Sequence, residues 1–276
     1  MKLRNTKNRN PRGGGKVQEV RGSQSEIPRN WRIVVGDHAI RSALQNSTQW
    51  IKQIWVKQGF ESSQFLRAIV DEGRKLKISV EIKPETQIGK VYANHQGALV
   101  FVDGRPRLRI GELEGLKTCI LIALDGVEDP HNLGAILRTA WLTGVKCILG
   151  PDERSVGLSP TVHKVACGGV EIVPFEQLSQ FHSTLEELKK QGFWIFGLSH
   201  RAEKSIFEVK IPEKIVWIFG AEDKGLRTTT ERACDELVSL PQSDAAASYN
   251  VSVATAMTLV ETLRQHQNLS GLKKTT

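Results

Sequence analysis

The stretch Asp125-Gly126-Val127-Glu128-Asp129-Pro130-His131-Asn132-Leu133-Gly134-Ala135-Ile136-Leu137-Arg138-Thr139-Ala140 decides how this chain is read. An apolar run, Cys119–Leu124, leads into it and stops at Asp125 and Gly126. That pattern predicts a short buried strand followed by a turn. Beyond the turn, Leu133, Ile136, Leu137, Ala140 and Trp141 fall at i, i+3, i+4, i+7 and i+8, the spacing of an amphipathic helix. Asp129 before Pro130 predicts the helix start, with Asn132 a second possible cap. Asn132 thus sits at the mouth of a helix, just past a strand end. Gly134 leaves space for a close neighbour, and Arg138 lies one position off the apolar stripe. Ligands commonly bind at such strand ends in open α/β sheets, but strand, turn and helix are also ordinary scaffold.

Around this centre the chain has the composition of a globular protein. It has 276 residues, 39% hydrophobic and 25% charged, a length that suggests about two domains. No run reaches the roughly 18 apolar residues of a membrane span, and no apolar core follows the basic N-terminus, so a secretory signal is not expected. Cys119, Cys147, Cys167 and Cys234 are scattered, and the seven histidines form no ligand-spaced cluster. Reduced, mostly buried thiols, a cytoplasmic location and no metal site are expected. The formal net charge of +8 favours a polyanionic partner, most simply nucleic acid.

Upstream, residues 1–30 are poor in apolar side chains. Lys2, Arg4, Lys7, Arg9, Arg12, Lys16, Arg21 and Arg29 face only Glu19 and Glu26. This reads as a disordered basic arm suited to phosphate backbones. Residues 31–103 alternate strands and helices. Strands are expected at Trp31–Val35, Gln53–Val56, Ile78–Ile82 and Ala98–Val102. Helices are expected from Gly36 to about Leu44 and over Ser62–Leu76. The pattern describes a small α/β sandwich. Residues 104–115 read as a linker and 271–276 as a tail.

Downstream, over 116–270, strands are expected at Cys119–Leu124, Val145–Leu149, Val170–Val173, Phe193–Leu198, Ile215–Phe219 and Leu237–Leu240. Helices are expected at Leu133–Thr143, Thr161–Val165, Phe175–Gln191, briefly after Arg227, and at Val251–Gln267. The result is a largely parallel open sheet covered on both faces. No G-x-G-x-x-G follows a strand, and neither a P-loop nor a nucleophile elbow is present. Three polar, glycine-bearing or hydroxyl-rich segments do follow strands directly: Asp125–Arg138, Gly220–Leu226, and Leu240–Asp244 running on to Ala254. Glycines bracket Glu222, and Ser248, Asn250 and Ser252 cluster at a helix start, where a cap alone needs one of them. If the three strands are neighbours, their loops converge on one crevice.

The order and wording of these segments resemble the SpoU (TrmH) family of RNA ribose 2′-O-methyltransferases, within the knotted SPOUT superfamily. Asn132-x-Gly134-x-x-x-Arg138 matches the first family motif. Gly220-Ala221-Glu222 with Gly225-Leu226 matches the second. Leu240-Pro241 and Ser248-x-Asn250-Val251-Ser252-Val253-Ala254 match the third, and Lys164 and Glu171 fit a weaker signature. Gly36-x-His38-Ala39 and His95-Gln96-Gly97 resemble the substrate-binding domain of the subgroup that methylates a guanosine of large-subunit ribosomal RNA.

The resemblance implies an N-terminal α/β RNA-binding domain and a C-terminal α/β methyltransferase domain closed by a deep trefoil knot. It implies transfer of a methyl group from S-adenosylmethionine to a ribose 2′-hydroxyl, by a homodimer with its site near the interface. Arg138 would stabilise the 2′-oxygen, with Asn132, Glu222, Ser248 and Asn250 orienting it and the substrate. Leu198, Phe219, Gly220, Leu240 and Tyr249 would hold the cofactor. A tRNA ribose methylase and a non-catalytic RNA-binding protein of the same fold are the alternative readings. The third motif departs from the family pattern: Gln242 stands where Met is usual, Asp244 where Gly is usual, and Tyr249 where Leu is usual. An Asp244 side chain bordering the ligand is expected to weaken its binding.

Overall fold

Apolar residues spaced for two separate sheets build two separate sheets. The computed structural model describes residues 27–28, 30–153, 155–244 and 247–266. The basic arm therefore lies outside the described residues apart from positions 27, 28 and 30, and the tail lies outside them entirely.

The first sheet has four strands in the order β1-β4-β2-β3, with β1 at Arg32–Val34, β2 at Ile51–Lys57, β3 at Ser79–Lys83 and β4 at Ala98–Val102. β4 runs antiparallel to β1 and β2, while β2 and β3 are parallel. Helices α1 (Asp37–Asn46) and α2 (Gln64–Lys75) bury Ile40, Leu44, Leu66 and Ile69 with Ile54, Val56 and Val100 on one face. Ser63 caps α2 by accepting from Leu66 N. On the other face Trp55, Leu99 and Phe101 pack with Ile88 of α3 (Glu85–Val91), a helix the sequence pattern did not predict.

The second sheet has six strands, all parallel, in the order β10-β8-β9-β5-β6-β7. These are β5 (Cys119–Asp125), β6 (Cys147–Pro151), β7 (Phe175–Leu178), β8 (Trp194–Leu198), β9 (Lys214–Gly220) and β10 (Glu236–Val238). All seven residues of β5 are buried, as its central place between β9 and β6 requires. Helices α4 (Pro130–Leu142), α5 (Pro160–Ala166) and α8 (Val251–Gln265) contribute to one apolar cluster. Helices α6 (Phe181–Lys190) and α7 (Thr228–Ala233) contribute to the cluster on the opposite face. Gly134 does bring a neighbour close: a Cβ there would meet Val165 Cβ at 2.6 Å, so α4 and α5 pack backbone to side chain.

Two expectations need correction. The strand expected at Val170–Val173 is a 3₁₀ turn at Gly169–Glu171, and the helix expected from Phe175 begins only at Phe181 because Phe175–Leu178 forms edge strand β7. Gly168 has φ 104°, and a Cβ on Gly169 would stand 2.7 Å from Leu137 O. The chain is turned there against α4. Val170 and Val173 are buried in the core, but from a turn.

The four cysteines are free. Burial pushes the Cys119 thiol up to about 11 and Cys234 to about 12, and raises Cys147 further. Among the described residues no helix is long and apolar enough to cross a membrane.

The two units meet through buried polar contacts. Arg32 on β1 donates to both oxygens of Glu171, Nη1 to Oε1 at 2.8 Å and Nη2 to Oε2 at 3.1 Å. Ser47 Oγ donates to Glu171 Oε2 at 2.5 Å, and Ser42 Oγ donates to Gly168 O at 3.1 Å. His163 is buried beside them. Its Nε2 accepts from Arg32 Nη1 at 3.2 Å, and its Nδ1 lies 3.4 Å from Glu171 Oε1 without the alignment of a hydrogen bond. The connecting stretch also docks: Arg107 Nη1 and Leu108 N donate to Glu176 of β7 at 2.7 and 3.1 Å.

Candidate active site

Three chain segments reach the C-terminal ends of the parallel strands and are tied there by side chains. Asp129 caps α4, accepting from His131 N at 2.8 Å, with Pro130 in the first turn. Asn132 is therefore not the cap. It is buried, and its Nδ2 donates to Glu222 Oε1 at 3.1 Å. Asn250 caps α8 with its Oδ1, accepting from Ser252 N at 2.9 Å and Ser252 Oγ at 2.6 Å. Its Nδ2 donates to Asn132 Oδ1 at 2.9 Å and to Glu222 Oε1 at 2.5 Å. Val251 N adds a contact to the same carboxylate oxygen at 3.3 Å. One oxygen of Glu222 thus accepts from both segments that flank it, which fixes the loop after β9 against α4 and α8.

The Glu222 loop is set by glycines. Ala221 N donates to Gly225 O at 3.1 Å and Gly225 N to Ala221 O at 2.8 Å, a closed turn with Gly225 at φ 66°. A Cβ on Gly220 would lie 2.1 Å from Gly225 C, so the turn closes only because position 220 has none. Behind it, the fully buried carboxylate of Asp125 accepts from Arg227 N at 3.0 Å and Arg227 Nε at 2.5 Å, joining the ends of β5 and β9.

Two cavities flank this loop, and Glu222 lines both. One, of about 270 Å³, is bordered by Leu198, Phe219, Gly220, Leu240, Ser248 and Tyr249 among others. All five residues expected to hold the cofactor lie on its wall, with apolar side chains beside backbone groups. The other, of about 360 Å³, takes in Asn132, Asp129, Glu128 and Asp223, with Lys224 and Arg227. Its carboxylates outnumber its cations, so it suits a neutral ribose or base edge better than a phosphate. The strands are not all neighbours, as β8 separates β9 from β10. The loop after β8 accordingly joins the first cavity through Ser199, His200 and Arg201. Sequence reasoning passed over these three, although the strand-end rule that singled out the other loops applies equally after Leu198.

Arg138 stands apart from the Glu222 cluster. It is exposed, lines neither cavity, and its side chain makes no hydrogen bond or ion pair among the described residues. The expected contacts from Asn132, Glu222, Ser248 and Asn250 to Arg138 are absent among those residues. Six positions separate Arg138 from Asn132 on α4, about 9 Å along the axis and a third of a turn around it. Ser248 lines the first cavity, and its side chain makes no hydrogen bond among the described residues. Of the three departures in the third motif, Gln242 and Tyr249 line that cavity and Asp244 does not. Tyr249 Oη donates to Pro241 O at 3.0 Å, which closes its own loop. No group of three or more His, Cys, Asp or Glu is placed to hold a metal among the described residues.

A parallel six-stranded sheet whose strand-end loops carry this Asn, Glu and Asn cluster defines the class. Residues 119–260 match the SpoU rRNA methylase family, and residues 33–107 match the RNA 2′-O ribose methyltransferase substrate-binding family. The chain belongs to the SpoU methylase family. It is similar to proteins named 23S rRNA (guanosine-2′-O-)-methyltransferase. The one from Nitrosomonas europaea is 39% identical, covering 87% of this chain and 94% of its own. The one from Neisseria meningitidis is 36% identical, covering 86% and 96%. In fold it is similar to the SpoU methyltransferase AviRb from Streptomyces viridochromogenes, solved with AdoMet, at a TM-score of 0.76 and 17% identity over 87% of this chain and 91% of that one.

Proposed function

We propose that this protein transfers a methyl group from S-adenosylmethionine to the 2′-hydroxyl of a guanosine in large-subunit ribosomal RNA. The observation that carries the reading is the Glu222 cluster standing between two cavities at the strand ends. The whole-length similarity to the 23S ribosomal RNA methyltransferases supports the choice of RNA.

The first cavity fits the methyl donor: apolar walls from Leu198, Phe219 and Leu240 suit an adenine ring, and Gly220 lets backbone approach closely. When bound, S-adenosylmethionine supplies an electrophilic methyl group on a sulfonium. The chain's residues have to align the hydroxyl and manage its proton. Glu222, fixed by Asn132, Asn250 and Val251 N, keeps its second carboxylate oxygen for the acceptor side. Arg138 stabilises the developing 2′-oxyanion or holds the adjacent phosphate. A guanidinium does not give up its proton, so it is not the base.

Arg138 is exposed and lines neither cavity of its own chain, which favours a homodimer with the site near the interface. In support, α4 and α8, the helices that carry the cluster, expose the large apolar side chains Leu142, Val253 and Val260 at 60%, 48% and 63%. The proposed domain division at residues 104–115 follows the boundary between the two sheets. The knot proposed for the C-terminal domain is supported by the course of its last segment. That segment leaves edge strand β10, borders the first cavity at Gln242 and again at Ala247, Ser248, Tyr249 and Val251, and packs as α8 beside α4. A cytoplasmic location follows from action on ribosomal RNA.

The test is methyl transfer from labelled S-adenosylmethionine to a large-subunit ribosomal RNA transcript and to tRNA, with the modified nucleotide mapped. Label on the tRNA alone would overturn the choice of RNA, and label on a base would overturn the reaction.

A further inference from the structure

The seam between the two units holds a cleft of about 330 Å³ that takes residues from both. Lys57, Asn94, His95 and Gln96 come from the first unit and Lys164 from the second, with Glu85 also on the wall. Lys164 is half-buried and its ammonium makes no hydrogen bond or ion pair among the described residues. Its stem runs past Gly36, where a Cβ would meet Lys164 Cγ at 3.5 Å and Gln96 Oε1 at 3.7 Å. Gly36 has φ 92° and Gln96 φ 53°, so the backbone is bent on both sides of the cleft.

His95 is 7% exposed. Its Nδ1 accepts from Gly97 N at 2.8 Å, which places the proton of the neutral ring on Nε2. Burial lowers its pKa; Glu85 raises it and Lys57 lowers it by smaller amounts. Lys57 Nζ stands 3.7 Å from Glu85 Oε1, a distant pairing that leaves donor capacity free. The wall therefore offers two ammonium groups, an imidazole N–H and two side-chain amides against one carboxylate. Donors of this kind with a surplus of positive charge select an anion, and a phosphodiester fits the volume.

We propose that this seam cleft clamps a backbone phosphate of the RNA strand that presents the target nucleotide, with Lys57 holding it from the substrate-binding unit and Lys164 from the methyltransferase unit. The proposal rests on the reading of the protein as an RNA methyltransferase. A phosphate held by both units fixes the RNA relative to the site only while the units keep the arrangement set by Arg32 and Glu171. The same motif residues, Gly36 and His95-Gln96-Gly97, thereby acquire a physical role: they shape the cleft rather than touch a base.

The experiment measures binding of a fluorescent large-subunit ribosomal RNA transcript across a salt series. It uses the full chain and the variants Lys57→Gln, Lys164→Gln and Lys190→Gln. Lys190 lies exposed on α6, on the opposite face of the sheet. Each cleft variant is expected to weaken binding about 3- to 10-fold at low salt and to flatten the log–log salt slope by about one. Lys190→Gln is expected to match the parent chain, and Lys164→Arg to retain binding. Thermal melts establish that each variant is folded. Parental affinity and slope in both cleft variants would overturn the proposal, as would equal losses in Lys190→Gln. If the parent chain binds the transcript in the predicted range but methylates nothing, the functional reading fails while the cleft stands; if it neither binds nor methylates, both fail.

Discussion

Arg32 and Glu171 stand 139 positions apart and meet as a two-pronged ion pair at 2.8 and 3.1 Å, with the carboxylate fully buried. One comes from the first strand of the small sheet and the other from a turn packed on α4. Burial alone would raise the Glu171 carboxyl. The hydrogen bonds from Arg32, the neighbouring His163 and the Ser47 hydroxyl together bring it below its ordinary range. Replacing Glu171 with Gln leaves Arg32 buried without a counter-charge. A loss of about 3–5 kcal/mol is expected in chemical denaturation. The double variant Arg32→Met/Glu171→Leu should lose less. Equal losses would mean that the charges contribute nothing beyond shape.

The same junction predicts acid sensitivity. His163 is held neutral, its pKa lowered to about 3 from 6.5 by burial, against the pull of Glu171. A histidine depressed in the fold contributes stability that is complete above 6.5 and lost as pH falls towards 3. Glu171, also depressed, loses its contribution at lower pH, below the ordinary carboxylate value of 4.5. Stability should therefore decline below pH 6.5 by up to about 1.4 kcal/mol per pH unit from this one histidine. His163→Gln should flatten the curve between pH 6.5 and 5. A curve unchanged by that substitution would assign the acid sensitivity elsewhere.

Arg138→Ala is expected to cut turnover at least about 100-fold, the scale of removing one oxyanion-stabilising donor. Its side chain is exposed and makes no hydrogen bond or ion pair among the described residues, so stability should change by no more than about 0.5 kcal/mol. Turnover near the parental value, or a collapse of the melting temperature, would remove Arg138 from the proposed role. The two readouts have to be taken on one preparation.

Asn250 combines a cap and a bridge, and two substitutions separate them. Asn250→Ala loses both and should cost about 1 kcal/mol of stability together with most of the activity. Asn250→Ser keeps a capping oxygen but not the amide that donates to Glu222 and Asn132. It should retain near-parental stability with the same loss of turnover. Activity that tracks stability in both variants would reduce Asn250 to a helix cap.

Gly220 and Gly225 should fail differently. Gly220→Ala places a carbon 2.1 Å from Gly225 C, so the turn must open. Affinity for S-adenosylmethionine, read by calorimetric titration, is expected to fall at least about 10-fold, with overpacking costing about 1–3 kcal/mol. Gly225 has open space around its α-carbon but φ 66°. Gly225→Asn should be tolerated better than Gly225→Ala, because asparagine accepts the left-handed region. Unchanged ligand affinity in Gly220→Ala would separate this loop from the cofactor cavity.

The sequence pattern carried most of the larger elements and much less of the contacts. Apolar runs located β4 to the residue, because it is buried along its length, and the i, i+3, i+4 stripe located α4, because that one face of the helix is buried. The helix Glu85–Val91 escaped notice since it buries only Ile88 and includes Gly89. The turn at Gly169–Glu171 looked like a strand because Val170, Ile172 and Val173 are β-branched. What bends it is the approach to Leu137 O, a partner far away in the chain. Asn132 looked like a cap because its nearest neighbours in sequence permit one, while its actual partners lie 90 and 118 positions away. Arg138 was legible as a motif residue, but its direction depends on helix phase, which placed it off the cavities.

The shared wall between the two cavities carries a thermodynamic consequence. Glu222 Oε1 already accepts from Asn132, Asn250 and Val251 N, so the loop cannot shift towards one cavity without straining contacts that border the other. A ligand that repositions Glu222 from one side therefore alters the free energy of binding on the other side. Linkage makes that effect reciprocal: whatever factor the donor imposes on the acceptor's affinity, the acceptor imposes on the donor's. Ternary-complex formation would then show equal coupling whichever partner binds first.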